Sequence, residues 1–313
     1  MSKVKHKYNL SLALGGGGAR GIAHIGVLKV LEREGIPIDM IVGTSMGAIV
    51  GGMYAQLGDA NAVEEKVLNF LDDFLTEKRW LQMYSRQKEE KQSLFTELSN
   101  YVQKRYIGFK ALTRISLEPQ ESLYDPLKKL VDDKNIEDCK IPFAAVCVDL
   151  VNGEIRVMTS GSILDAVYAS AAIQGVFPPL QYDSAQLTDG GPMSITPVEV
   201  ARNLDSKYVL AVDVHQRIKR VEEFGNGLEV IMRADNLGLD RLRQIEQANA
   251  DLVIAPAVGV IHWANFNKAR ECIRRGEQAA EMMLPELHQL LSKRTWLSQL
   301  KTGMKLLFKD LSE

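Results

Sequence analysis

The sequence predicts an α/β domain of three layers, with helices on both sides of a mostly parallel central sheet. Three observations carry this. Residues 8–57 read as strand, glycine-rich loop, helix, strand, tight turn, helix, the order that builds a parallel strand pair. Residues 143–148 and 208–214 read as strands of the buried, parallel kind. Apolar residues at helical spacing recur between strands, at 59–74 and 228–247 for example.

The bulk properties narrow the classes. The chain has 313 residues, 46% hydrophobic and 25% charged, enough for a sizeable core. A net charge of -2 gives no global basic field, so a nucleic-acid partner is not expected. Cys139, Cys147 and Cys272 are odd in number and lack zinc-type spacing, which suits free thiols in a reducing compartment. The basic start, residues 1–7, is not followed by a signal-peptide core. No apolar run reaches the ~18 residues of a membrane span. The expected location is the cytoplasm, with peripheral contact at a membrane surface left open.

In chain order, residues 8–14 form the first strand, and Gly15-Gly16-Gly17-Gly18-Ala19-Arg20-Gly21 follows it. A helix over 22–34 stops at Gly35-Ile36-Pro37. Met40-Ile41-Val42 ends the second strand and 48–57 is the next helix. Between them Gly43-Thr44-Ser45-Met46-Gly47 matches G-x-S-x-G, with glycines that let strand and helix approach closely. Such a turn exposes a serine hydroxyl, so Ser45 is the candidate nucleophile, against an ordinary strand-to-helix turn.

Residues 76–119 carry scattered aromatics and charge and read as a peripheral helical layer, ahead of a cap over a lipid cleft. Helices at 123–131 and 162–172, strands at 154–158 and 180–187, and a short helix from Pro197 to Asn203 come next. A last strand spans 252–255, and a long helix at 266–291 is kinked or broken near Pro285. At the end, Trp296, Leu300, Met304, Leu307 and Leu311 form an apolar stripe beside Lys301, Lys305 and Lys309. That stripe packs on the domain or on a second subunit, ahead of lying in an anionic membrane interface. The expected division is one hydrolase-like domain, 1–292, and an amphipathic helix, 293–313.

Gly16-x-Gly18-x-x-Gly21 also matches the dinucleotide fingerprint, but the acidic residue that reading needs is misplaced: Asp39 begins the second strand instead of ending it. The competing reading is an oxyanion hole, in which Gly16, Gly17 and Gly18 turn their N–H groups toward an ester oxygen. Arg20 adds positive charge for a substrate phosphate, or pairs with a surface carboxylate. Ser45 needs a base. The order Ser-acid-His is met by Ser45, Asp189 or Asp213, and His215 or His262, while His24 and His288 lie on helices and read as structural. The alternative base is Asp189 itself, in Thr188-Asp189-Gly190-Gly191, which otherwise reads as a hairpin turn. Ser45 and Asp189 both follow strands, so both are expected at one sheet edge.

The glycine loop, the serine elbow and Asp189-Gly190-Gly191, in this order, resemble the patatin-like phospholipases in their bacterial branch. Val148-Asp149-Leu150, Ala169-Ser170-Ala171-Ala172, Val176-Phe177-Pro178-Pro179 and Ala250-Asp251-Leu252-Val253-Ile254 extend the resemblance over about residues 10–280. It implies a patatin-like fold and a Ser45–Asp189 dyad without histidine. It also implies an oxyanion hole on the glycine loop and hydrolysis of lipid acyl esters, with no metal or organic cofactor. Transfer of the acyl chain on the same site, or a catalytically silent lipid-binding regulator, are the alternatives; self-association is left open. Gln174 departs from the proline that members often carry, in a segment the resemblance puts beside the acyl pocket.

Overall fold

Alternation along the first strand sets the layers. The computed structural model describes residues 6–76, 114–215, 218 and 220–292. In β1 (Tyr8–Leu14), Leu10, Leu12 and Leu14 point into the larger core, while Ala13 points into a second core on the opposite face. The larger core is covered by α1 (Ala23–Arg33), α2 (Met46–Leu57), α3 (Ala60–Thr76), α4 (Glu121–Leu130), α5 (Ile163–Ala171) and α8 (Ala269–Met282). The smaller core, with Met40, Val42, Ala144, Val146, Val209 and Ala211, is closed by α6 (Val198–Asn203), with α7 (Gly227–Ala248) beside it. This is the expected three-layer α/β/α arrangement around a mixed, mostly parallel sheet.

The parallel part runs β2 (Met40–Thr44), β1, β7 (Ser206–Val212), β8 (Leu252–Ile254), with β3 (Phe143–Asp149) parallel to β2 on the other side. Three antiparallel strands complete it: β4 (Glu154–Met158), β5 (Leu180–Tyr182) and β6 (Ala185–Asp189). The register around β3 decides the site. β4 pairs Ala145 to Asp149 of β3, so it occupies one flank throughout. On the other flank, β2 pairs Phe143 to Val146 and β6 pairs Cys147 to Asp149. β2 and β6 therefore share that flank and run toward each other, with Thr44 opposite Val146 and Asp189 opposite Cys147.

This corrects the expectation that Ser45 and Asp189 reach a common sheet edge. β6 is antiparallel, so Asp189 meets the elbow head-on, inside the sheet. The long C-terminal helix is broken: α8 ends at Met282 and a second helical stretch, 284–292, carries Pro285 in its first turn. The cap or layer expected within 76–119 falls largely outside the described residues, as does the amphipathic helix at 293–313. Among the described residues, no helix is long and apolar enough to cross a membrane.

Candidate active site

Ser45 stands between the last residue of β2 and the first of α2, at φ 55° and ψ -123°. Positive φ is costly for a residue with a Cβ, so packing on both sides must impose it. The flanking glycines show how. A Cβ on Gly43 would lie 2.5 Å from the Gly47 carbonyl oxygen and 2.6 Å from the Ala48 nitrogen. A Cβ on Gly47 would collide with the carbonyl oxygen of Leu14. Strand, helix and glycine loop thus touch backbone to backbone around the serine. The Ser45 N–H donates to Ser170 Oγ at 3.0 Å, and Ser170 Oγ–H donates to the Val146 carbonyl at 2.7 Å, tying the elbow to α5 and β3.

Asp189 is buried, its carboxylate accepts a hydrogen bond from Gly191 N–H at 2.8 Å, and the Ser45 hydroxyl lies close enough to favour its charged form. Burial pushes its pKa up to about 6, against the pull of those two donors. Gln174 donates from Nε2 to the Asp189 carbonyl oxygen at 2.7 Å. The Asp189 N–H donates to Ala172 O at 3.0 Å, so the end of α5 also holds this turn.

The glycine loop lies against the same serine: a Cβ on Gly16 would sit 3.2 Å from Ser45 Cβ. Its N–H groups are not equivalent. Gly15 N–H donates to Val212 O, and Gly16 N–H to Ile195 O at 2.8 Å. Gly16 is thereby removed from the expected set of oxyanion donors; it is a contact surface for Ser45. Gly17 and Gly18 N–H enter none of the backbone hydrogen bonds among the described residues. Arg20 is 7% exposed and donates from Nε to the Gly17 carbonyl at 3.3 Å, so it does not pair with a surface carboxylate. Burial lowers its pKa and nearby Asp213 raises it. Gripping Gly17 C=O fixes the orientation of the peptide plane, and within that plane Gly18 N–H points the opposite way across the C–N bond.

Among the described residues, no histidine side chain makes a hydrogen bond to the Ser45 hydroxyl. His24 is fully buried, hydrogen-bonded through Nε2 to Gly15 O at 2.7 Å, and burial lowers its pKa to about 4, so it stays neutral. His215 follows β7; burial and Arg20 lower its pKa. Its neighbour Asp213 is committed to Arg243 in an ion pair of 2.5 Å. His262 Nδ1 accepts from Ala264 N–H. His6 pairs with Asp205. Among the described residues, Asp189 is the titratable side chain whose charged form the Ser45 hydroxyl favours.

Beside the elbow opens an apolar cavity of about 100 Å³. Its wall along α2 is Met46, Ile49 and Val50, the residue after Ser45 and those one turn on. Phe70 of α3, Leu127 of α4 and Phe266 face them, and Ser122 is the one polar residue type in the lining. The Gln174 segment does not line this cavity; it braces Asp189 instead.

The profile of the family described as Patatin-like phospholipase matches residues 12–202, which includes the elbow, the glycine loop and Asp189. The chain belongs to the patatin-like phospholipase family. Among similar members, patatin-like phospholipase domain-containing protein 6 of Mus musculus is 32% identical over 216 residues, 68% of this chain. Lysophospholipase NTE1 of Debaryomyces hansenii is 30% identical over 214 residues, again 68% of this chain. The match spans 14% and 12% of those two proteins' length. VipD from Legionella pneumophila, a solved structure, is 13% identical with a TM-score of 0.43, over 90% of this chain and 67% of VipD.

Ser170 and Gln174 are part of this site; sequence reasoning assigned Ser170 no role and set the Gln174 segment beside the acyl pocket instead of against Asp189. Ser170 sits in the small-residue run that supports the patatin-like resemblance, which was a usable signal. The contact of Gln174 with Asp189 carries none, because it is a single hydrogen bond between residues 15 apart in the sequence.

Proposed function

We propose that this protein is a serine hydrolase of lipid acyl esters, with Ser45 as nucleophile and Asp189 as the only base. The observation that carries the proposal is the Ser45 hydroxyl beside a buried carboxylate, on a backbone position held in positive φ. Ser45 Oγ attacks the ester carbonyl carbon as its proton passes to Asp189. The oxyanion takes hydrogen bonds from Gly17 and Gly18 N–H, near the N-terminus of α2. The carbon–oxygen bond then breaks, and the leaving alcohol takes the proton from Asp189. Water repeats the sequence on the acyl-enzyme: it gives a proton to Asp189 and its oxygen to the acyl carbon, and Ser45 leaves as alkoxide and is reprotonated.

The cavity along α2 supports a fatty acyl group as the part recognised. It is apolar and starts at Met46, next to the attacking oxygen. Membership of the patatin-like family, and the phospholipase and lysophospholipase names of its members, agree with a lipid ester substrate.

The test is turnover of a soluble p-nitrophenyl ester by Asp189→Asn, His215→Ala and His262→Ala. Loss of a general base costs about 10²–10⁴-fold, expected for Asp189→Asn. Both histidine variants should stay within about tenfold of the parent, or ~1.4 kcal/mol of barrier. Collapse of either histidine variant beside an active Asp189→Asn would replace the dyad by a triad.

A further inference from the structure

Three parts of the site described above touch one short segment, Ser194-Ile195-Thr196, that follows the Asp189 turn. Thr44, the residue before Ser45, donates from Oγ1 to the Ser194 carbonyl at 2.8 Å. Gly16 of the glycine loop donates its N–H to the Ile195 carbonyl at 2.8 Å. The Ser194 N–H itself donates to Gly190 O at 2.9 Å, closing the turn that carries Asp189. The carbonyls of this segment therefore hold the elbow strand and the glycine loop, and its N-terminal end holds the Asp189 turn.

Behind the segment stands one side chain. Glu246, on α7, is 4% exposed. Its Oε1 accepts from Ser194 Oγ–H at 2.5 Å and its Oε2 from Thr196 N–H at 3.1 Å, with Ile195 N–H also at the carboxylate. A buried carboxylate is tolerated only where such donors converge on it. Here they converge from a segment whose opposite side grips the reaction machinery. Arg243, one turn earlier on α7, ion-pairs with Asp213 at the end of β7 and fixes the helix that presents Glu246.

We infer that Glu246 is a positioning residue for catalysis: by holding Ser194-Ile195-Thr196 it sets the spacing of Ser45, Asp189 and the glycine loop. This rests on the Ser45–Asp189 reading. Glu246 touches no substrate. Its effect is on the alignment of the nucleophile, where a displacement of about 1 Å costs on the order of 10²-fold in rate. The apolar cavity lies on the opposite face of the sheet from α7, so binding of the acyl chain is left alone.

The test uses the full chain, with active serines counted by fluorophosphonate labelling so that kcat refers to competent enzyme. Glu246→Ala should lose about tenfold to 100-fold in kcat on a soluble ester, with KM within about threefold of the parent. Glu246→Gln keeps an acceptor for Thr196 N–H, and should restore kcat to within about fivefold. Ser194→Ala should also lower kcat, and combining it with Glu246→Ala should cost less than the sum, because the two act through one contact. Should Glu246→Ala fail to accumulate as folded protein, the Ser194→Ala and Glu246→Gln results decide alone. The inference is overturned if Glu246→Ala retains kcat within about threefold, if only KM moves, or if Ser194→Ala is indistinguishable from the parent. Failure of the parent to label on Ser45 would instead refute the Ser45–Asp189 reading.

Discussion

In the proposed mechanism the carboxylate of Asp189 serves as base to Ser45. At its ordinary pKa, near 3.9, it would hold the hydroxyl proton poorly. Burial moves it to about 6, closer to the working pH. Because the base must be ionised to accept a proton, kcat/KM should rise with pH through about 6, as a single-proton step. A pH–rate profile checks this, and a profile flat from pH 5 to pH 8 would contradict it. Arg20 invites a second measurement at this scale. It is expected to act through Gly17 O on the direction of Gly18 N–H, so Arg20→Ala should cost about tenfold to 100-fold in kcat, less than removal of a whole oxyanion donor. Steady-state kinetics on a short ester that carries no phosphate separates this from headgroup binding, which that substrate would not report. That Ser45, Asp189 and the glycine loop lie together was legible in the sequence because each sits in a short motif of particular residue types. It left Arg20 with two roles, neither of which is the contact seen, since the direction of a guanidinium is set by what packs above it. Gly16 was misjudged for a similar reason: its partner Ile195 is remote in sequence.

At the scale of elements, α2 does two things at once. Its N-terminus carries Ser45, and its side, from Met46 to Val50, is the wall of the apolar cavity. Filling the far wall should thus discriminate among chain lengths without touching the chemistry. Leu127→Trp should lower kcat/KM for p-nitrophenyl palmitate by about tenfold or more while leaving the butyrate near the parent value. Equal losses on both esters would remove the cavity from the acyl path. Most elements were readable from periodicity, because strands β1, β2, β3 and β7 are covered on both faces and helices on one. The head-on meeting of β2 and β6 was not. Antiparallel pairing of a five-residue strand leaves no trace in hydrophobic pattern, and only the register on β3 reveals it.

For the molecule as a whole, the two acids raised by burial, Asp189 to about 6 and Glu246 to about 7, tilt stability with pH. In the unfolded chain both ionise near pH 4. Folded, they keep their protons longer, so the folded state binds more protons between about pH 4 and pH 7, and stability declines as pH rises across that window. Asp149, Asp205 and Glu271, lowered by hydrogen bonds and ion pairs, have the opposite sign, but their contribution is complete above the usual carboxylate range. His24 and His215, lowered by burial, act with the opposite sign over part of the same window, so the tilt set by Asp189 between pH 5.5 and pH 7.5 is read as a difference between the parent and Asp189→Asn. Asp189→Asn should reduce that slope and melt above the parent at pH 7.5, although it is the variant with least activity. Thermal melts of both proteins at the two pH values check the sign.

The meeting of β2 and β6 along β3 also makes β3 a gauge. Thr44, the residue before the proposed nucleophile, and Asp189, the proposed base, are paired with consecutive rungs, Val146 and Cys147, so the spacing of the two strand ends is set by one step of about 3.3 Å along β3. A gauge of this kind tolerates changes of material but not of length. Side chains of β3 can be exchanged for others of similar volume with the dyad still in register. Insertion or removal of a single residue between 143 and 149 would move Asp189 away from Ser45 or drive the two together, whatever residue is involved.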